Sequence, residues 1–339
     1  MINTVVALVP VVVFLAALSL MDPFQLVRRS AIAAAIIYGA VAAGVSLALN
    51  EWLIKSAHVP LPVVRRLIAP AGEETAKALL VCGLIATARI AFLVDAAVQG
   101  FAIGTGFALV ENLWYLGSIN ESSLALWVVR GFGTAILQGA TTAIVAIVAR
   151  SLADRHPNRV VLSCLPGLGI AVALHSAFNA KVLPPVAETL LLLIALPLIV
   201  VFAFERSERA TREWIGAGLD LDLTLHELMQ SSDFGLTRFG RYLGELRSRL
   251  PGPVVADMFC LLRLDLELSI QAKAFLLARE AGLELPPSPD LDTALDERRY
   301  LHQSIGVAGM LALQPLQTTS DRDAWHRHLL KSRGSAAGR

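Results

Sequence analysis

The sequence predicts an all-α protein: a polytopic membrane helix bundle of about seven transmembrane helices, followed by a cytoplasmic α-helical domain. Three observations carry that prediction. Of 339 residues, 55% are hydrophobic, and the mean hydropathy of +0.61 is far too apolar for a soluble chain of this size. Nearly all the long apolar runs lie in residues 1–204. The remainder is rich in Arg, Asp and Glu, with apolar residues recurring at helical spacing. A net charge of +1 gives no electrostatic basis for binding nucleic acid.

A spanning helix takes about 20 largely apolar residues. The stretches that qualify are 4–21, 31–49, 68–88, 91–117, 123–149, 160–181 and 184–204. The first lacks a basic leading region and a small-residue cleavage site, so it reads as a retained span. The third and sixth score lowest because they carry polar residues, as helices lining a site would. Gly100, Gly104 and Gly106 in the fourth predict close helix packing. Three scattered cysteines, Cys82, Cys164 and Cys260, suggest no disulfide framework and no CxxC metal motif.

Basic residues in the short loops set the orientation. Arg28, Arg29, Arg89, Arg150, Arg155, Arg159, Arg206, Arg209 and Arg212 fall on one side; Lys55, Arg65, Arg66 and Lys181 fall on the other. This places the N-terminus outside and the C-terminus in the cytoplasm. The lipid bilayer is the first expected partner. The segment VPLPVVRRLIAPAG is expected along the outer interface.

Residues 205–330 then read as a cytoplasmic helical domain, with turns at Pro251–Pro253 and at PPSPD (286–290), and 331–339 as a disordered tail. The DLDLTLHE run around His226 is expected to be a helix entry with a solvated face. A cytoplasmic protein partner would bind through 205–330.

Inside the apolar half stand residues that hydrocarbon does not tolerate without cause. Glu73, Glu74 and Lys77 lie in the third span, Glu111 and Asn112 in the fourth, Arg130 and Gln138 in the fifth, and His175 and Asn179 in the sixth. A charge at bilayer depth costs on the order of 3 kcal/mol. At about 1.5 Å per residue, Glu73, Glu74, Glu111 and His175 all come about 9 Å below the outer ends of their spans. Read singly, each has a plainer role as an ion pair, a snorkelling residue or a carbonyl-bonded imidazole. Three helices placing such groups in one layer favour a polar site. Carboxylates, an imidazole and amides there supply a base, a ligand set and an oxyanion donor, as water activation requires.

Glu73 to Lys77 (EETAK) resembles the EExxK motif of the PrsW family of intramembrane proteases, Phe107 to Asn112 (FALVEN) its FxxxEN, and His175 to Asn179 (HSAFN) its HxxxN. That family is distantly similar to the CAAX-prenyl proteases. The resemblance covers about residues 1–204 and implies hydrolysis of a peptide bond in a membrane-anchored protein substrate, such as an anti-sigma factor. One position departs. The family often carries a histidine eight residues after an arginine, whereas here Arg130 is followed by Gln138. Gln is no base and a poor metal ligand. Counted from residue 123, Gln138 also falls about 22 Å deep, out of the layer. Either that span starts later or Gln138 stands apart from the site.

Two chemistries follow. In the first, Zn²⁺ is held by Glu73 or Glu74, with Glu74 the expected one, by Glu111 and by His175, the remaining glutamate acting as base, and no HExxH motif is present. In the second, the glutamates alone activate water. Asn112 and Asn179 are the oxyanion donors in either, with Lys77, Arg130 and Gln138 supporting. The metal route is the expected one, because a histidine among carboxylates suits Zn²⁺. The alternatives are a proton- or cation-coupled transporter and a catalytically inactive scaffold of the same architecture.

Overall fold

The computed structural model describes residues 2–21, 27–118, 123–155, 159–283 and 290–316. The tail at 331–339 and most of the turn at 286–290 lie outside them. The described residues are helical throughout, with no strand. The chain forms two compact units, 1–208 and 209–339.

The first unit begins with α1 (Ile2–Leu20) and α2 (Arg29–Lys55). A short α3 (Leu61–Val63) passes through a π-helical turn, Val64–Ile68, into α4 (Ala69–Ala86). The segment expected along the interface is therefore helical and continuous with α4. Next come α5 (Leu93–Ser118) and α6 (Leu124–Val128), which a second π-helical stretch, Val129–Thr134, joins to α7 (Ala135–Ala153). Last are α8 (Val160–Ala180) and the first part of α9 (Pro185–Gln230). Asp95 starts α5, its Oδ2 accepting from the backbone of Ala91 (3.0 Å) and Phe92 (3.2 Å).

Among the described residues, six helices are long and apolar enough to cross a membrane: α1, α2, α5, Leu124–Ala153, α8 and α9. The expected seventh, α4, is not among them, because Glu73, Glu74 and Lys77 put three charges into its 18 residues. Outward-facing Val41, Val45, Leu79, Val161 and Leu190 are exposed, as suits helices solvated by lipid.

At the centre runs α5, where Ala96, Ala97, Phe101, Ala102, Ile103 and Phe107 are all buried. It packs on α2 and α7, and its glycines set the spacing, as expected. A Cβ on Gly104 would stand 2.1 Å from the Gln138 carbonyl oxygen, so only glycine lets α7 approach this closely. That contact fixes Gln138 at the heart of the unit. Cys82 of α4 and Cys164 of α8 are paired as a disulfide with Cα atoms 6.4 Å apart, contrary to the expectation from sequence. The two residues are 82 positions apart, and only the packing of α4 on α8 brings them together.

The second unit holds the rest of α9 with α10 (Arg238–Leu246), α11 (Gly252–Glu280) and α12 (Leu291–Leu313). Its core is aliphatic, built on Leu243, Met258, Leu261, Leu268, Leu301 and Ile305. Within it Asp222 accepts from Lys273 Nζ and Ser269 Oγ, both at 2.6 Å. The DLDLTLHE run therefore buries one carboxylate in an ion pair, where a solvated face was expected.

Candidate functional site

The polar residues of α4, α5, α7 and α8 meet. Glu74 and Lys77, one helical turn apart, are both 0% exposed, and Lys77 Nζ lies 2.8 Å from Glu74 Oε1. Glu74 Oε1 also accepts from Thr141 Oγ1 at 3.0 Å and lies 2.8 Å from His175 Nδ1. Glu74 Oε2 is buried and has no hydrogen-bond partner. Two charges in an apolar interior persist only when paired and hydrogen-bonded, and three donors on one oxygen meet that condition. The ammonium group also sits 5.0 Å from the centre of the Phe107 ring, a cation–π contact.

Glu73, the next residue, points another way. Its Oε1 accepts from Asn50 Nδ2 of α2 at 3.1 Å, and its Oε2 stands 3.9 Å from His175 Nε2. The imidazole therefore lies between two carboxylates. With Nδ1 donating to Glu74, a neutral ring turns its Nε2 lone pair toward Glu73.

Glu111 lies across the site. Its Oε1 pairs with Arg130 Nη2 at 3.2 Å and its Oε2 accepts from Gln138 Nε2 at 2.9 Å. Gln138 Oε1 accepts from Lys77 Nζ. A single amide thus bridges a buried cation and a carboxylate, since it offers an acceptor at one end and a donor at the other. Gln138 is consequently within the layer, and the depth counted from residue 123 is corrected. Arg130, eight residues earlier and within the π-helical stretch, touches the same carboxylate.

The two asparagines expected as oxyanion donors hold backbone. Asn112 Nδ2 donates to the Ala7 carbonyl (2.7 Å), while its Oδ1 accepts from Arg130 Nε (3.0 Å). Asn179 Nδ2 donates to the Arg65 carbonyl at 3.0 Å on an exposed face. Asn50 and Thr141 are participants that the sequence did not reveal. An uncharged polar residue in a span raises no alarm by composition, and each is identified only by its partner on another helix.

Among the described residues, no three His, Cys, Asp or Glu side chains are placed to hold a metal. Of the expected ligands, Glu74 and His175 bond to each other, and both oxygens of Glu111 are taken by Arg130 and Gln138. Lys77 adds a fixed positive charge beside Glu74. Glu73 Oε2 and His175 Nε2 stand 3.9 Å apart, two protein ligands where a catalytic zinc takes three. Held this way, the donor set does not fit Zn²⁺.

A model of the PrsW family intramembrane metalloproteases matches residues 22–204, more than half the chain. That description suggests a metal for the family. No curated protein and no solved structure matches.

Proposed function

Starting from a chain that belongs to the PrsW family of intramembrane metalloproteases, a multi-pass membrane protein whose family membership supports intramembrane proteolysis, we propose that it hydrolyses a peptide bond of a membrane-anchored protein with water activated between Glu73 and His175. The observation that carries this is the 3.9 Å separation of Glu73 Oε2 and His175 Nε2. That gap is too long for a direct hydrogen bond and suits a water bridging the two.

Such a water donates one hydrogen to each group and turns its lone pairs toward a carbonyl carbon. Glu74 fixes the ring through Nδ1, and Asn50 fixes the Glu73 carboxylate through Oε1. As the water oxygen bonds to the carbonyl carbon, its proton passes to Glu73. When the C–N bond breaks, Glu73 returns that proton to the leaving amine, giving a carboxylic acid, which keeps the second water hydrogen, and a free amine. Asn179, one turn from His175 and with a second amide hydrogen, is the proposed donor to the developing oxyanion. Glu111, Arg130, Asn112, Lys77 and Gln138 act as positioning residues that brace the three helices.

The proposed setting is the bacterial inner membrane, N-terminus outside, with residues 205–330 a cytoplasmic domain that binds a protein partner. The orientation rests on the asymmetry of basic loop residues. Zn²⁺ on Glu74, Glu111 and His175 would require breaking the Glu74–His175 contact and both bonds to Glu111. Metal analysis of the purified protein decides this: one Zn²⁺ per chain, lost in His175→Ala, would replace the mechanism above.

The direct test compares the N-termini of membrane proteins, by mass spectrometry, in cells carrying wild type or Glu73→Gln. New N-termini present with wild type and absent with the variant are expected. Identical sets would sink the proposal.

A further inference from the structure

Behind the site, between α7, α8 and the first part of α9, the first unit contains a cavity of about 290 Å³. Its walls are apolar, Ile144, Leu174, Phe178 and Leu192 among them, and two polar residues interrupt them, Thr141 and Glu188. Both are informative. Thr141 is the residue whose hydroxyl donates to Glu74 Oε1, so the cavity shares a wall with the buried carboxylate of the site. Leu174, beside His175 in sequence, is on the same lining and is exposed. The cavity therefore lies against the back of the candidate site and has exposed apolar residues in its lining.

Glu188 sharpens the identity of an occupant. Its Oε1 accepts from the backbone of Leu183 at 3.0 Å, whereas its Oε2 is buried and has no partner. A carboxylate oxygen without a donor is a poor wall for a lipid acyl chain, which has no hydrogen to offer. A peptide segment drawn out of helical form has the opposite problem. In hydrocarbon every freed backbone N–H must find an acceptor, and a peptide bond inside a helix must be unwound before water reaches its carbonyl carbon. At this volume, the low end of ligand pockets, the space takes one or two apolar side chains and no whole helix.

We propose that this cavity binds the unwound apolar segment of the substrate next to the cleaved bond, with its apolar walls taking the side chains and Glu188 receiving a backbone N–H. The assignment rests on the proteolytic function proposed above and adds what that site selects: apolar residues in a helix that breaks easily.

The test measures binding without turnover, in the Glu73→Gln background. The probe is a fluorescent 21-residue Leu/Ala membrane peptide with a central Gly-Pro break, in proteoliposomes. The broken peptide is expected to bind at least about tenfold more tightly than an unbroken peptide of the same length. Filling the cavity with Leu192→Trp weakens binding by about tenfold or more, and Glu188→Gln weakens it by a smaller factor, each with an unchanged Tm. If Leu192→Trp lowers the Tm, Ile144→Phe fills the same space from α7. Unaltered binding in a folded filled variant overturns the assignment, as does absence of binding to the unfilled protein. Release of a spin-labelled phospholipid by the filled variants, with peptide binding unaltered, assigns the space to lipid and also overturns it. Proteolysis fails separately: a chain that binds the broken peptide yet yields no new N-termini with Glu73 restored leaves the cavity assignment standing and removes only the hydrolytic function.

Discussion

Residues 1–208 bury Glu74, Lys77, Gln138 and Arg150 and turn Val41, Leu79 and Leu190 outward, whereas residues 209–339 bury Met258, Leu261 and Leu276 and leave Arg263, Glu267, Asp296 and Arg299 largely at the surface. Both units are made of helices, so secondary structure does not separate them. Solvent does. A helix facing lipid gains nothing by hiding leucine, and its cohesion comes from close backbone approach and from polar contacts that lipid cannot replace. A helix facing water is held by aliphatic burial. It follows that removing a charge should be costly in the first unit and cheap in the second, and that difference can be measured.

The sharpest break is chemical. Glu73→Gln keeps the size of the side chain and its contact with Asn50, but removes the proton acceptor facing His175. A loss of about 10²- to 10⁴-fold in cleavage rate is expected, as for other general bases, while the Tm of the detergent-solubilised protein stays near that of wild type. Cleavage at an undiminished rate would remove Glu73 from the chemistry.

Stability follows. Lys77→Met strips the cation from a carboxylate that is 0% exposed, and breaking a buried pair on one side costs about 3–5 kcal/mol. The double variant Lys77→Met with Glu74→Gln should recover much of that loss, because no unpaired charge remains. Thermal unfolding of the single and double variants decides it, and additive losses would show that the pair is not the reason. Gln138→Leu ranks next. It leaves Lys77 and Glu111 one bond short each, at about 1–3 kcal/mol per unsatisfied group, read by the same unfolding measurement.

How far the sequence led can be judged on these same residues. The apolar spans and the layer containing Glu73, Glu74, Glu111 and His175 were legible, because hydropathy and a rise of 1.5 Å per residue are local properties. The place of Gln138 was not, since its contacts with Lys77 and Glu111 depend on how α7 packs against α4 and α5, which is a tertiary fact. Asn50 and Thr141 went unseen because a neutral amide or hydroxyl in a span carries no charge to flag it. Asn112 and Asn179 were flagged for chemistry, yet each holds a neighbouring backbone carbonyl, a role that depends on where Ala7 and Arg65 end up. The Cys82–Cys164 pairing and the burial of Asp222 against Lys273 likewise arise from contacts between distant segments, which no spacing rule contains.

The smallest expected effect is as diagnostic as the largest. Arg299 pairs with Asp296 one turn away on α12 at 3.0 Å, with side-chain exposures of 64% and 69%. Water screens that pair and solvates either partner when the other is lost, so exposed pairs contribute little. Arg299→Ala should therefore shift stability by no more than about 0.5 kcal/mol, and raising the salt concentration should leave the variant and wild type equally stable. The comparison with Lys77→Met is then direct: one charge removed from each unit, from a pair closed within a single helical turn in both. A loss at Arg299 approaching that at Lys77 would mean that charge burial does not distinguish the two units, and that something other than solvent sets their opposite patterns.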